Sequence, residues 1–337
     1  MPKLIIQIPC FNEEATLAAT IADLPRSVPG IDTVEILVID DGSLDRTAEV
    51  ARAAGADWLL RFPTNLGLAT AFSAGLDAAL KLGADVIVNT DADNQYPGAD
   101  VPRLVAPILA GEADMVIGDR APAQLAHFGP FKRLLQRVGS WVVRQLSNTS
   151  VPDAASGFRA FSRRAALRLN VFTKFTYTHE TIIQAGKKHI AIAHVSITPN
   201  PETRPSRLFS SIPAYLRRSV PALFRIYALY EPFKVFWGLG GVLIAGGTLI
   251  GLRFVAYYLA GHGSGHVQSL ILAAVLLIVG FQTALFGMLA DLIGGNRSLL
   301  EGTLERVREL ELVLGAGPDV VRLSGEGPRR PLSVQRR

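Results

Sequence analysis

Two carboxylates spaced two residues apart are the part of this sequence best suited to chemistry. Asp91 and Asp93 follow the run Val86–Asn89, whose apolar and β-branched residues are typical of a buried strand. In an extended chain, side chains at positions i and i+2 project to the same side, so both carboxylates can face one cation. Taken alone, the pair is more typical of an Asx-rich turn or a helix N-cap. The rest of the chain decides between these two interpretations.

Polar and acidic side chains also follow two other predicted strands. Asn12 and Glu13 come at the end of the first strand, and Asp40 and Asp41 close the second. Acidic side chains on neighbouring strand ends repel each other unless a cation or a hydroxyl-rich ligand meets them. A nucleotide sugar supplies both. Asp40 and Asp41 can bond its ribose and base, while a metal-bound diphosphate meets the carboxylate pair of the later strand.

These strand ends must be held side by side, and the pattern of apolar segments predicts the sheet that does so. We expect strands at residues 4–9, 34–40, 58–61, 86–89 and 114–118, and helices at residues 13–24, 44–54, 68–82, 101–109 and 177–187. Strands that alternate with helices of this length predict a mostly parallel, doubly wound α/β sheet. Such a sheet binds its ligands at the carboxyl ends of its strands.

The first turn of this predicted fold lacks the glycines that a dinucleotide requires. Pro9-Cys10-Phe11-Asn12-Glu13 contains no glycine, which argues against a nicotinamide or flavin enzyme, and the chain has no P-loop sequence. Cys10 is the only cysteine among 337 residues, which excludes an internal disulfide and fits a reducing compartment. The apolar run at residues 4–8 is too short for a signal peptide, so we expect this domain to stay in the cytoplasm.

Four motifs occur in order along this part of the chain: Pro9-x-x-Asn12-Glu13, Asp40-Asp41-Gly42-Ser43, Asn65-x-Gly67 and Asp91-x-Asp93. Together they resemble glycosyltransferase family 2, which has the GT-A fold, over roughly residues 3–200. The resemblance implies a catalytic domain at residues 1–203. It implies that Asp91 and Asp93 hold Mg²⁺ or Mn²⁺ against a donor diphosphate, and all-oxygen ligation suits such hard cations. The nucleotide-sugar contacts expected for this chain are Pro9, Asn12, Glu13, Asp40, Asp41, Asn65, Gly67 and Asp91.

A further motif, Asp153-Ala154-Ala155-Ser156-Gly157-Phe158-Arg159, resembles a signature of the dolichyl- and polyprenyl-phosphate sugar transferases in that family. The resemblance implies a lipid phosphate as the acceptor. Its oxygen is already anionic near neutral pH, since the second pKa of a phosphate ester is roughly 6. We therefore expect Asp153 to position the reacting groups or to lie near the metal, with general-base catalysis as the weaker assignment. The predicted catalytic residues are Asp93, Asp153 and Arg120.

Several arginines are candidates for contacts with the acceptor phosphate, because the planar guanidinium matches phosphate geometry. They are Arg120, Arg133, Arg159, Arg204 and Arg207. A processive polysaccharide synthase would be expected to carry Gln-x-x-Arg-Trp late in this domain. Gln184 is instead followed by Ala185-Gly186-Lys187-Lys188. The sequence therefore predicts transfer of a single sugar.

Residues 204–234 are basic and rich in aromatic residues, with six Lys or Arg and one Glu. Such a mixture is compatible with nucleic-acid binding, but amphipathic helices at an anionic membrane surface fit better because two long apolar segments follow. Residues 235–260 are apolar except for Arg253, and residues 267–290 carry no charge. Each segment exceeds the roughly 20 residues needed to cross hydrocarbon. We predict a two-helix membrane hairpin at residues 235–291 and no nucleic-acid partner.

Positive charge flanks the predicted hairpin on both sides, with Arg297, Arg306 and Arg308 after the second span. The positive-inside rule therefore places both flanks and the catalytic domain in the cytoplasm. Glycines between residues 238 and 251 allow close helix packing. Within the remaining residues 292–337, residues 298–314 predict an amphipathic helix, a candidate contact between protomers of a homo-oligomer. Residues from 315 onward predict a disordered tail.

The motifs and the hairpin together predict a multi-pass enzyme of the cytoplasmic membrane. The resemblance implies transfer of one hexose, with inversion, from a UDP- or GDP-hexose to a polyprenyl phosphate at the membrane surface. One alternative changes the acceptor to a hydroxyl of a glycolipid or envelope polysaccharide, which requires Asp153 as a true base. Another alternative is a membrane scaffold with an inactive fold. Glucose, mannose and N-acetylated hexoses all stay open as the transferred sugar.

Overall fold

The structure is a computed structural model of the 337-residue chain. It describes residues 2–120, 141, 143–144, 147, 149, 151–171, 177–201, 227–228, 230–261, 267–315, 317 and 320–323. The chain divides into two compact units. The first combines residues 1–207 with residues 305–337, and the second consists of residues 208–304.

One sheet of eight strands forms the centre of the first unit within the described residues. The strands are β1 (Lys3–Cys10), β2 (Thr33–Asp40), β3 (Trp58–Arg61), β4 (Val86–Asn89), β5 (Met115–Asp119), β6 (Arg159–Ser162), β7 (Ile192–Ser196) and β8 (Val321–Arg322). Their order across the sheet is β7-β5-β6-β4-β1-β2-β3-β8. The sheet is mixed, because β6 and β8 run antiparallel to their neighbours. The other six strands share one direction, in agreement with the mostly parallel α/β fold that was expected.

Helices alternate with the strands from β1 to β5, as the sequence predicts. They are α1 (Leu17–Asp23), α2 (Thr47–Ala53), α3 (Leu68–Lys81), α4 (Val101–Leu109), α5 (Arg163–Arg168), α6 (Thr178–Lys187), α7 (Pro232–Leu259) and α8 (Val267–Val313), and a short 3₁₀ turn (Gly98–Asp100) precedes α4. The central strands are buried along almost their whole length, a pattern typical of parallel strands covered on both faces. Gly75 lets α3 lie close to the sheet, since an added Cβ would be 2.5 Å from Gln7 Oε1.

The first helix begins later than the sequence predicts, and the difference shapes the edge of the sheet. The Glu13 carbonyl accepts the N–H groups of Thr16 and Leu17, at 3.2 and 3.0 Å, which forms a turn ahead of α1. Asn12 adopts φ 55°, a left-handed conformation that Asn tolerates better than most residues. Glu13, predicted as the first residue of the helix, therefore lies together with Asn12 in a loop at the carboxyl end of β1.

One short strand lies in the segment that was expected to be disordered, and it is β8. β8 pairs with the edge strand β3, and the Leu323 N–H donates to the Asp57 carbonyl at 2.8 Å. Upstream of β8, the Arg308 guanidinium donates to the carbonyls of Leu167 and Leu169, at 3.1 Å each. The prediction of disorder from residue 315 is therefore wrong for β8, which covers an otherwise open sheet edge. The helix predicted at residues 298–314 is the end of the continuous α8.

The second unit contains α7 and most of α8, which are long and apolar enough to cross a membrane by length and composition. Small residues recur every seven positions where the two helices meet, at Gly240 and Gly247 on α7 and at Gly280 and Gly287 on α8. An added Cβ on Gly240 would lie 2.8 Å from the Gly280 carbonyl oxygen, so the helices approach closely, as small residues permit. Most other apolar side chains of this pair are exposed. Residues 262–266, which connect the two helices in the sequence, lie outside the described residues.

Candidate functional site

The carboxyl ends of β4, β1 and β2 lie next to one another at one edge of the sheet. Gln7 of β1 is in register with Asn89 of β4, and its carbonyl accepts the N–H of Thr90 at 3.1 Å. On the other side of β1, the Cys10 carbonyl accepts the N–H of Asp41 at 2.9 Å. The three loops that carry the predicted site residues therefore leave the sheet side by side.

Hydrogen bonds tie the loop after β1 to the loop after β2. The Asn12 N–H donates to Ser43 Oγ at 2.9 Å, and Asn12 Oδ1 accepts the Leu44 N–H at 2.9 Å. The Glu13 N–H donates to Thr47 Oγ1 at 2.8 Å. These contacts hold Asn12 and Glu13 at the sheet edge, where their contact with a nucleotide stays a prediction.

Asp40 lies inside the protein rather than on the surface of the site. Its carboxylate accepts the Ser43 N–H at 2.9 Å and pairs with Arg61 Nε at 3.0 Å, and its side chain has no exposed surface. A carboxylate in this position shapes the turn after β2 and is not available to a ribose or base. The predicted nucleotide contact at Asp40 is therefore not compatible with this structure. Pro9 is also buried, as a residue of β1.

Asp41 holds the turn that carries Asn65 and Gly67. Its two oxygens accept the N–H groups of Leu66 at 2.7 Å and Gly67 at 2.9 Å. Burial raises the pKa of the Asp41 carboxyl above its ordinary value, although the two N–H groups lower it. Gly67 has φ 96°, which requires glycine, and Asn65 is exposed. Asp41, Asn65 and Gly67 are thus brought together, and their nucleotide contacts stay predictions.

Asp91 and Asp93 lie in the loop after β4, as the sequence predicts. Among the residues that the structure describes, no hydrogen bond reaches the Asp91 carboxylate. Burial and then the Asp93 carboxylate raise the pKa of Asp91 to about 7, and the Arg120 guanidinium opposes this rise. Asp93 Oδ1 accepts the Gln95 N–H at 3.2 Å. The loop therefore concentrates negative charge in a partly buried place.

The Asp91 and Asp93 carboxylates suit a divalent cation. A cation beside Asp91 would offset the desolvation and repulsion that raise its pKa. In the described parts of the chain, no group of three or more His, Cys, Asp or Glu side chains could hold a metal ion. If two carboxylates bind the cation, its remaining coordination positions are available to phosphate oxygens and water, an arrangement common for Mg²⁺. The donor set therefore fits Mg²⁺ or Mn²⁺ bound together with a diphosphate.

Arg120 and Asp153 form a bidentate ion pair. Arg120 Nε and Nη2 donate to the two Asp153 oxygens, at 2.8 and 3.2 Å, and Asp153 is almost completely buried. Asp153 Oδ1 also accepts the Ala155 N–H at 3.2 Å. Two of the three predicted catalytic residues are thus brought together. Because Arg120 lowers the pKa of Asp91, it lies close enough to interact with the acidic loop as well.

Arg159 is a structural residue and not an acceptor contact. Its side chain is fully buried at the start of β6. The guanidinium donates to the carbonyls of Ala154, Ser156 and Thr178 and to Thr181 Oγ1, at 2.6–3.0 Å. Burial lowers its pKa to about 10, so it stays charged near neutral pH. A guanidinium enclosed by four protein acceptors cannot reach an external phosphate, and the predicted role of Arg159 is corrected accordingly.

A polar network behind the acidic loop was not predicted from the sequence. Asn89 Oδ1 accepts from Gln7 Nε2 at 2.8 Å, and Asn89 Nδ2 donates to the Gly157 carbonyl and to the Tyr177 hydroxyl, at 2.9 Å each. Gln7 and Asn89 are polar residues within otherwise apolar strands, and that was the available signal. Because buried polar groups need partners, each of the two residues could have indicated a contact with a neighbouring element.

Three of the predicted phosphate-binding arginines, Arg133, Arg204 and Arg207, lie outside the described residues. Their contacts with an acceptor phosphate stay predictions. Most of the basic segment at residues 204–234 also lies outside the described residues.

Comparisons with known proteins indicate the family to which this chain belongs. A model described as glycosyl transferase family 2 matches residues 5–169. An uncharacterized glycosyltransferase of Mycobacterium tuberculosis is 30% identical over 219 residues, which are 65% of this chain and 93% of that protein. The polyprenol monophosphomannose synthase of Mycolicibacterium smegmatis is 31% identical over 176 residues, which are 50% of this chain and 65% of that protein.

One group of solved structures has the same fold. The glucosyl-3-phosphoglycerate synthase from Mycobacterium tuberculosis, in complex with Mn²⁺, UDP and phosphoglyceric acid, has a TM-score of 0.53 at 25% sequence identity. The similarity covers 67% of this chain and 78% of that chain.

Proposed function

Since this chain belongs to glycosyltransferase family 2, we propose that it transfers one hexose from a UDP- or GDP-hexose to a polyprenyl phosphate, with inversion at the anomeric carbon. The observation that carries the proposal is the combination of an acidic sheet edge and two exposed apolar helices in one chain. A water-soluble donor and a lipid-embedded acceptor can meet only at a membrane surface. An enzyme that joins them needs both features.

On the donor side, the loops after β1, β2 and β4 would bind the nucleotide diphosphate. Asn12, Glu13 and Asp41 would contact the nucleoside, while Asp91 and Asp93 would hold Mg²⁺ or Mn²⁺. When bound, the metal would neutralise the charge that develops on the departing nucleoside diphosphate. The Mn²⁺ and UDP found in the related synthase support this assignment.

On the acceptor side, the Arg120–Asp153 ion pair favours a phosphate over a hydroxyl. A general base must accept a proton, and a buried carboxylate held by two guanidinium N–H groups is poorly suited to that task. A phosphate monoester needs no such base, because its oxygen is already anionic. Arg120 would also draw the anionic nucleophile toward the acidic loop. The activity named for the mycobacterial mannose synthase supports a polyprenyl acceptor.

The membrane assignment rests on the exposed apolar surface of α7 and α8. Side chains such as Leu249, Leu252 and Ile271 are more than half exposed, and water would not solvate such a surface favourably. Lipid would cover it. With Lys and Arg flanking the two helices, we place the catalytic unit on the cytoplasmic face.

A panel of radiolabelled nucleotide sugars tests the proposal. The full chain in detergent is mixed with polyprenyl phosphate, Mn²⁺ and each of UDP-glucose, UDP-N-acetylglucosamine, GDP-mannose and UDP-galactose. We expect one donor to yield a lipid-soluble, single-sugar product, with activity lost in EDTA and restored by Mn²⁺ or Mg²⁺. Absence of both sugar transfer and donor hydrolysis, with metal present, would favour the inactive scaffold.

A further inference from the structure

Gly157 occupies a junction between the acidic loop and the segment that precedes β6. Its N–H donates to the Tyr96 hydroxyl at 3.0 Å, and its carbonyl accepts from Asn89 Nδ2 at 2.9 Å. The Tyr177 hydroxyl also reaches the same carbonyl, at 3.4 Å. The backbone of Gly157 is therefore fixed by side chains from three different parts of the fold.

The space beside Gly157 is filled by the Asp91 carboxylate. A Cβ added to Gly157 would lie 2.9 Å from each Asp91 oxygen and 2.9 Å from the Tyr177 hydroxyl. Gly157 is not among the glycines with positive φ, so its backbone conformation does not require glycine. A glycine fits here because the Asp91 carboxylate lies too close to its backbone for a side chain. The missing side chain lets the carboxylate lie against the Gly157 backbone.

The groups around this contact have little freedom to move. The Tyr177 ring stacks on Phe72 with centroids 3.9 Å apart and planes 5° from parallel. Tyr96 stacks on Phe158 at 5.1 Å. Close-packed interiors resist an added methyl group, so a side chain at position 157 would displace the smaller and less restrained partner, the Asp91 carboxylate.

We propose that Gly157 is a positioning residue that sets the Asp91 carboxylate for the divalent metal and joins the metal site to the 153–159 segment. This inference rests on the proposed function, because it takes Asp91 as a metal ligand. Asp153, four residues before Gly157, pairs with Arg120 on the acceptor side. The Tyr96, Asn89 and Tyr177 contacts then connect the residues that hold the donor metal to those that face the acceptor.

The test is the affinity of the full chain in detergent for Mn²⁺ in the presence of UDP, measured by titration with electron paramagnetic resonance. We expect Gly157→Ala to raise the Kd for Mn²⁺ by about 10- to 100-fold, the effect typical of disturbing a residue that orients a metal ligand. The double variant Gly157→Ala, Tyr177→Phe should recover at least about threefold of that loss, since it removes the hydroxyl that confines the new methyl group.

Gly83→Ala is the matched control. Gly83 has φ +85° at the end of α3 and nothing within 4 Å of an added Cβ, so the substitution strains the backbone far from the metal site. It should lower Tm and leave the Kd for Mn²⁺ unchanged. If Gly157→Ala behaves in the same way, Gly157 is only structural and the inference is overturned.

Tyr96→Phe keeps the test decisive if Gly157→Ala does not fold. It removes the acceptor of the Gly157 N–H while preserving the stacked ring, and we expect a Kd for Mn²⁺ about 3- to 10-fold higher. An unchanged Kd would overturn the inference while sugar transfer by the wild type still supports the proposed function. A wild-type chain that binds no Mn²⁺ would overturn both the inference and the metal assignment.

Discussion

The acidic loop after β4 and the segment that precedes β6 both carry buried charge, but they treat it differently. In the segment, Asp153 is paired with Arg120, and the Arg159 guanidinium donates to four protein acceptors. In the loop, the Asp91 carboxylate has no hydrogen-bond donor among the described residues, and its pKa is raised to about 7. Buried charged groups that have protein partners stabilise the fold. A buried carboxylate that lacks a hydrogen-bond donor and has a shifted pKa is instead a candidate for binding a ligand. The comparison separates charged residues that are paired within the protein from the carboxylate that we propose as a metal ligand.

The largest effect should come from the uncompensated charge. Asp91→Asn removes a predicted metal ligand, and we expect kcat/KM for sugar transfer to fall about 1000-fold, equivalent to about 4 kcal/mol of transition-state stabilisation. Asp77→Asn on α3 is the control, since that carboxylate pairs with Lys81 and takes no part in the site. If Asp91→Asn retains more than a tenth of the activity, the assignment of Asp91 as a metal ligand is contradicted.

Removing a satisfied charge should instead affect folding. Arg159→Met removes the buried guanidinium that donates to four protein acceptors, and we expect the free energy of unfolding to fall by about 3 kcal/mol or more. Urea denaturation followed by tryptophan fluorescence measures it. Arg103→Met breaks an exposed pair with Asp100 and should cost less than about 1 kcal/mol. Equal losses from the two substitutions would contradict the structural role of Arg159.

Asp153→Asn distinguishes the two acceptor classes. If the acceptor is a phosphate, loss of the ion pair with Arg120 should lower kcat by about 10- to 100-fold while leaving measurable transfer. Loss beyond about 10,000-fold would point to a hydroxyl acceptor and to Asp153 as its base. Asp114→Asn, which breaks the exposed pair with Arg164, should leave kcat unchanged.

The smallest effect is the pH dependence of stability without metal. The folded-state pKa of Asp91 is raised to about 7, so the folded chain binds more protons than the unfolded chain between about pH 4 and 7. Its contribution to stability therefore falls as the pH rises through this range. His179 acts in the opposite direction, because burial lowers its pKa to about 4 and costs stability as the pH falls below 6.5.

The Asp91 contribution is isolated by subtraction. Tm is measured from pH 5 to 8 in EDTA for the wild type and for Asp91→Asn, which share the His179 effect. The wild type should lose stability relative to the variant as the pH rises, and Mn²⁺ with UDP should reverse the loss by binding the folded state. Parallel curves of Tm against pH would mean that the surroundings do not raise the pKa of Asp91.

The fold and the acidic edge follow from local patterns. Runs such as Val86–Asn89 are apolar enough to predict their own burial, and alternation with helices predicts the direction of the strands. Asp91 and Asp93 could be predicted to lie at the sheet edge because the carboxyl ends of parallel strands meet there whatever the details of packing. The two long apolar helices could be predicted from length and composition alone.

Tertiary structure alone decided which charged residues are buried and paired within the protein. Arg120 and Arg159 are equally plausible phosphate contacts in the sequence, yet Arg159 is enclosed by acceptors up to 22 residues away, on a helix that comes later in the chain. Asp40 and Asp41 are neighbours, but Asp40 is turned toward Arg61 of the next strand. β8 forms only because the edge of β3 is open to it. Burial and hydrogen-bond partners depend on long-range contacts, whereas the position of the Asp91 and Asp93 pair depends only on where a strand ends.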